Sequence, residues 1–360
     1  MKSPTVAITG LSATENPAPG VPVARAVREG SGGRSRIIGL SYDALDPGNY
    51  MDGIADAVFL MPYPSSGAEV VLDRLREIHE KYPIDVVIPT LDAEIALYIK
   101  IADRLRDLGI HMFLPSDEQL KLRSKARFLG LKTELGINVP ESIAISDSRA
   151  IPKLDKQFKF PVMVKGQFYD AHIAYSPMEV ERHFQSLRQK WGVPVIVQEF
   201  IAGEEYDVVA LGDGEGELIS AVPMRKMQLT DKGKAWGGIT INDPLLMKFI
   251  KETVQKLKWR GPSEFEVMRS RDTGKLYLLE INPRFPAWIY LAVGAGRNLP
   301  WMTVNLALQK PVASTEAPEP GIMFLRHSFD QICRLSDYES LTTKGELVRI
   351  GEERDGKASL

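Results

Sequence analysis

The sequence predicts an α/β domain followed by an α+β region, with a parallel sheet first and antiparallel strands after it. Three observations predict it. Up to residue 118, short apolar runs alternate with helix-spaced segments, the rhythm of βαβ units. Beyond that point strands follow one another, with turn signals at Asp213-Gly214 and Asp272-Thr273-Gly274. Third, an otherwise apolar strand, Leu276-Tyr-Leu-Leu-Glu-Ile-Asn-Pro-Arg284, is interrupted by polar groups at alternate positions.

The elements can be justified in order. Val6-Ala-Ile-Thr-Gly10 is a buried strand leading into a phosphate-style turn, and Val21–Glu29 follows as a helix. Arg36–Leu40 is a second strand. Leu72, Leu75 and Ile78 recur at helical spacing before a third strand at Asp85–Pro89. Ala93–Leu108 is helical and stops at Gly109, and His111–Pro115 is read as a fourth strand. These elements make a small doubly wound domain at residues 1–118. Lys121–Gly136 is expected as one helix. Phe160–Lys165, Ala171–Ser176 and Val193–Ile201 are expected strands, with a helix at Pro177–Trp191. Residues 204–240 are strand-rich, Asp243–Leu257 is helical, two strands surround Phe265 and Leu278, and a helix spans residues 286–309. Pro311–Pro320 has linker composition, and the tail, 321–360, carries no signal.

A chain of 360 residues has room for two or three domains. Lys and Arg number 45 against 47 Asp and Glu, a net charge of −2. No basic excess points to a nucleic acid or an anionic membrane, and neither is expected as a partner. The single cysteine, Cys333, rules out an intrachain disulfide. No apolar run approaches the ~18 residues of a membrane span. MKSPTVAITG reads as a first strand, not a signal peptide, so a soluble, cytoplasmic protein is expected.

The interrupted strand carries the chemistry. Period-two geometry puts Glu280, Asn282 and Arg284 on one face. Fourteen residues before Glu280, Glu266 lies on the preceding strand with Glu264 on the same face. A hairpin through the Asp-Thr-Gly turn brings two carboxylates and an amide oxygen together. Such hard oxygens suit Mg²⁺, which usually keeps substrate phosphates among its ligands. Arg284 adds a cation for a phosphate.

The E-I-N-P-R run, preceded by a strand acid and a turn, resembles the metal-binding signature of the ATP-grasp superfamily. That group includes D-alanine–D-alanine ligase, biotin carboxylase and the large chain of carbamoyl phosphate synthetase. The likeness covers residues 1–310. It implies a pre-ATP-grasp α/β domain at 1–118, a linker helix and lid at 119–200 and an antiparallel catalytic subdomain at 201–310. A linker and tail follow at 311–360. The cofactors implied are ATP and Mg²⁺, with Mn²⁺ as a substitute.

By the same resemblance, Glu266, Glu280 and Asn282 hold the metal. Glu264 is the alternative to Glu266, because turn length can shift the pairing. Lys125, in Ser124-Lys125-Ala-Arg-Phe128, and Lys165 contact phosphates. Gln198 and Glu199 face the adenine amino group, Ile201 offers its backbone N–H, and Glu205 accepts the ribose hydroxyls. Arg225 and Arg284 are the catalytic cations, Arg225 for an acyl phosphate or a substrate carboxylate. Phe285–Trp288 is weighed as an acceptor wall or as core, and His172 as catalytic or structural. Asp92 and Glu94 are read as helix-cap and first-turn charges.

One departure stands out. Relatives carry a glycine-rich loop after the lid lysine, whereas Lys165-Gly-Gln-Phe-Tyr-Asp-Ala-His has one glycine and two aromatics. The implied reaction is ATP-dependent activation of a small-molecule carboxylate as an acyl phosphate. An amine, of an amino acid or peptide, then attacks, and ADP and phosphate are released. Carboxyphosphate or thioester formation, and a non-catalytic ATP-binding regulatory protein, are the alternatives. The resemblance also admits a homodimer.

Overall fold

The structure is a computed structural model. It describes residues 3–349 apart from 124, 129, 167–169, 230–234 and 313–316, and it leaves out the side chains of residues 125 and 126.

The N-terminal strands are β1 (Thr5–Thr9), β2 (Arg36–Ser41), β3 (Ala57–Leu60) and β4 (Val86–Ile88). β1 pairs in parallel with β2 and β4, and β2 with β3. Three helices flank this sheet: α1 (Gly20–Gly30), α2 (Ala68–Lys81) and α3 (Asp92–Asp107). α2 buries Val71, Leu72, Leu75 and Ile78, the stripe that its helical spacing implies. β1 stops at Gly10, whose φ is +71°. α1 then starts so close to that strand end that a Cβ on Gly20 would lie 2.2 Å from the Thr9 carbonyl oxygen. Only glycine permits this approach.

Three short helices come next, α4 (Asp117–Leu122), α5 (Lys125–Phe128) and α6 (Leu131–Leu135). A four-stranded antiparallel sheet follows, built from β5 (Ser142–Ile145), β6 (Val162–Lys165), β7 (Ala171–Ala174) and β8 (Val195–Glu199) in the order β5-β8-β6-β7. α7 (Pro177–Trp191) covers it by burying Val180, Phe184 and Leu187. The largest sheet contains β9 (Gly203–Asp213), β10 (Leu218–Leu229), β11 (Ala235–Thr240), β12 (Arg260–Ser270), β13 (Leu276–Asn282) and β14 (Met323–Leu325). It is antiparallel, in the order β13-β12-β9-β10-β11-β14. α8 (Pro244–Leu257) packs on one face, and α9 (Tyr290–Gly294) and α10 (Leu299–Ala307) follow β13. In the tail, α11 (Leu335–Lys344) leads to β15 (Glu346–Val348), which joins the N-terminal sheet antiparallel to β3.

The expected fold class is present, with corrections in its elements. His111–Pro115 is not a strand: only His111 bridges to Val86. The Leu114 carbonyl instead accepts from Arg260 Nη1 at 2.6 Å, across to β12. The sheet is filled by β3 and by β15 from the tail. The helix expected at 121–136 is divided among α4, α5 and α6: α4 ends at Leu122, and Gly130 stands just before α6. The one expected at 286–309 is broken at Gly294–Gly296, where Gly296 has φ +78°. One apolar cluster unites Val6 and Ile8 of β1, Val209 and Leu211 of β9, Phe285, Trp288 and Leu341. The parallel sheet and the large antiparallel sheet therefore share a core.

Candidate functional site

The site starts with a hairpin. β12 and β13 turn through Asp272-Thr273-Gly274, where Gly274 takes a φ of +66°. The register pairs Glu266 with Glu280 and Glu264 with Asn282, with a bulge just past Glu266. On its other side β12 pairs Glu266 with Asp207 of β9, and β10 sets Met224 beside Asp207. Alternation then lines one face of four adjacent strands with Glu280, Asn282, Glu264, Glu266, Asp207, Glu205 and Lys226.

These groups differ in their surroundings. Glu264 is buried and accepts from Trp288 Nε1 at 2.7 Å, from Asn282 Nδ2 at 3.2 Å and from Arg284 Nη1 at 3.4 Å. Asn282 Nδ2 also donates to Glu266 at 3.2 Å. With its nitrogen facing the two acids, the Asn282 amide presents its oxygen elsewhere. Glu280 is exposed and Glu266 half-buried. Burial, then the neighbouring Glu280, raises the Glu266 carboxyl to about 8. Asp207 is buried, and burial together with Glu264 raises its pKa as well. Lys226 forms an ion pair with Glu205 and lies 3.2 Å from Asp207. Burial works against its charge, but Asp207, Glu266 and Glu205 outweigh it and raise the pKa. Lys165, at the end of β6, has its pKa lowered by burial, against the pull of Glu280, Glu266 and Glu205. It is the lid's amine at the same acids.

The N-terminal domain reaches this face through Arg284. Its Nε donates to Asp92 at 2.6 Å, and Arg123 Nη1 lies 3.2 Å from the same carboxylate. Beneath them Glu94 is fully buried. Its Oε1 accepts from the backbone N–H of Thr90 and Leu91 at 2.8 and 2.9 Å. It also accepts from the hydroxyls of Thr9 and Tyr42. Burial raises its pKa against these hydrogen bonds.

The other expected residues are placed as follows. Gln198 is buried and donates to Ser142 Oγ at 3.0 Å, while Glu199 accepts from the Glu141 N–H at 3.3 Å. Ile201 lies two residues beyond β8. Glu205, expected to face a ribose, is in the Lys226 ion pair. Lys125 opens α5, and its side chain lies outside the described residues. Arg225 needs correction: strand alternation sends it to the face opposite Asp207, where it is exposed, and puts Lys226 on the acid face. Trp288 is core, yet it is also a donor to Glu264. His172 stacks on His183 of α7, with ring centroids 4.6 Å apart. Asp92, read as a helix charge, instead crosses to Arg284. The sequence reading passed over Asp207, although its position two residues after Glu205 carries the alternation that places it.

Among the described residues, no three acidic, histidine or cysteine side chains form a metal cage. Two carboxylates and an amide oxygen on neighbouring strands nevertheless suit a hard cation that completes its shell with phosphate and water.

Residues 192–326 match the family model described as ATP-grasp in the biosynthetic pathway with Ter operon. The carbamoyl phosphate synthase large chain of Clostridium acetobutylicum is 23% identical over 227 residues, 59% of this chain and 21% of that one. A phosphoribosylamine–glycine ligase from Synechocystis is 24% identical over 239 residues, 60% of this chain and 57% of that one. The chain thus spans only part of each relative. Among solved structures, the biotin carboxylase domain dimer of Hydrogenobacter thermophilus 2-oxoglutarate carboxylase, in complex with MgADP, ADP and bicarbonate, superposes with a TM-score of 0.66. It is 14% identical, and the match covers 87% of this chain and 71% of that one. The chain has the ATP-grasp fold. The matched segment runs from the end of α7 to β14, so it includes the whole β12–β13 hairpin.

Proposed function

We propose that the protein is an ATP- and Mg²⁺-dependent ligase that activates a small-molecule carboxylate as an acyl phosphate and joins it to an amine. The observation that carries this reading is the direct cross-strand pairing of Glu266 with Glu280 beside Asn282, on a face that also receives Lys165 and Arg284. Glu266, Glu280 and the Asn282 oxygen would hold Mg²⁺, the Asn282 amide turning over so that its oxygen replaces the nitrogen now facing Glu264 and Glu266. Glu264 is a poorer choice, since Trp288, Asn282 and Arg284 already engage it. The bound Mg·ATP supplies a phosphoryl group whose charge the metal helps to spread.

The chain's residues bind, align and exclude water. Lys165 and Arg284 offset phosphate charge, joined by Lys125. Gln198, Glu199 and the Ile201 backbone orient the adenine edge, and Glu205 meets the ribose once Lys226 yields it. The carboxylate oxygen attacks the terminal phosphorus and the bond to ADP breaks. The amine then adds to the acyl carbon, loses a proton and expels phosphate. No covalent intermediate on the protein is needed. The MgADP held by the carboxylase neighbour supports the cofactor assignment, and the phosphoribosylamine–glycine ligase among the relatives supports the reaction type. Small-molecule substrates, a soluble, cytoplasmic setting and a homodimer accompany this reading. Among the described residues, no helix is long and apolar enough to cross a membrane.

The test is ADP release from Mg·ATP across a panel of carboxylates and amines, with hydroxylamine present to trap acyl phosphate as a hydroxamate. Hydroxamate without amine, and amide with it, supports the ligase. Bicarbonate dependence or a thiol acceptor points to carboxyphosphate or thioester chemistry. Nucleotide binding with no ADP from any pair points to a regulatory ATP-binding protein.

A further inference from the structure

We propose that Asp92 is a positioning residue that aims one end of the Arg284 guanidinium at the terminal phosphate of a bound nucleotide. The inference rests on the nucleotide reading above and names a device that this reading does not require.

Asp92 is the first residue of α3 and belongs to the N-terminal domain, 192 residues away from Arg284 along the chain. An acid at a helix start ordinarily serves the exposed N–H groups there. Asp92 stands one position past the cap residue, Leu91, and among the described residues its side chain engages arginines and no N–H of that first turn. Its carboxylate is part-buried and takes two cations, Arg284 from the metal strand and Arg123 from just after α4. An arginine at the end of a strand, beyond Pro283, has several rotatable bonds and no fixed direction of its own. Here Nε is tied to Asp92, and Nη1 to Glu264 and to the Phe285 carbonyl oxygen. Among the described residues, Nη2 donates to no protein acceptor. Three anchors on two of its nitrogens fix the plane of the guanidinium. The remaining N–H groups are thereby aimed by the N-terminal domain. Glu264 links the device to the metal face, since it also holds Asn282.

The test is binding, which needs no knowledge of the acceptor. Affinities for Mg·ADP and for the Mg²⁺ complex of a non-hydrolysable triphosphate, adenylyl imidodiphosphate, are measured by calorimetry on the full chain. In Asp92→Asn the preference for triphosphate over diphosphate is expected to fall about tenfold, the scale of one charge-assisted hydrogen bond. Arg284→Lys should show the same fall, and the double variant no more than either. Asp92→Glu should recover part of the preference, and Arg123→Ala, which also touches Asp92, should leave it unchanged. Melting curves check folding, and Asp92→Ser replaces any Asn variant that does not fold. An unchanged preference in Asp92→Asn, a multiplicative double variant, or an equal fall in Arg123→Ala would each overturn the proposal. If the wild-type chain binds neither nucleotide, the nucleotide reading itself fails and takes this inference with it. Wild-type binding with an unmoved preference overturns the inference alone.

Discussion

Glu264 and Glu266 stand two residues apart on one strand and face the same way, yet their environments assign them different tasks. Glu264 is the acceptor for the buried Trp288 Nε1. Removing it in Glu264→Ala strands that donor, a loss of about 1–3 kcal/mol. The expected result is an earlier denaturation midpoint, with Glu264→Gln recovering much of it because an amide oxygen can still accept. Glu266 carries the opposite signature, with a carboxyl raised to about 8 by burial and Glu280. Below that pH it holds a proton that a cation must displace. Mg²⁺ affinity should therefore rise from pH 6.5 to 8.5, and binding at pH 7 should release protons, which calorimetry in buffers of different ionisation enthalpy reads directly. Affinity independent of pH, with no proton release, contradicts the assignment. The Glu280, Asn282 and Arg284 series was legible because three polar groups broke an apolar strand. The choice between the two glutamates was not, because turn length alone leaves the register open. Arg225 was misplaced for a related reason: one step along β10 reverses the face.

Among the elements, the helices and strands with strong periodicity were legible, α2, α3, α7 and α8 above all. The failures are short or bent pieces. β3 has four residues and β15 three, too few for any period to show. His111–Pro115 has the composition of a strand, but only His111 bonds to β4, and the Leu114 carbonyl turns to Arg260 of β12. The junction of β1 and α1 is the tightest part of the frame. A Cβ on Gly20 would sit 2.2 and 2.3 Å from the carbonyl oxygens of Thr9 and Gly10. Gly20→Ala must push backbone apart at the strand ends, and a destabilisation of about 1–3 kcal/mol follows from overpacking. Chemical denaturation checks this, and a wild-type midpoint would contradict the close approach.

At the scale of the molecule, the tail that carried no signal in the sequence is a strap. β14 extends the large sheet, and β15 extends the parallel one. Between them, Leu341 is buried in the core shared by both domains. Leu341→Ala should lower stability by about 2–5 kcal/mol. It should do so in one transition for both sheets, not in two, when unfolding is followed by probes in each domain. This shared core holds Asp92 opposite Arg284 and fixes the acid face relative to the N-terminal strand ends. The claim on which everything else depends is that Glu266 and Glu280 hold a divalent cation against a nucleotide. Its most direct test is calorimetric Mg²⁺-dependent ATP binding to Glu280→Ala. That variant removes an exposed side chain, so its melting curve should match wild type within about 0.5 kcal/mol. The account predicts a folded protein in which Mg²⁺ no longer strengthens ATP binding; binding strengthened by Mg²⁺ as in the wild type would contradict it.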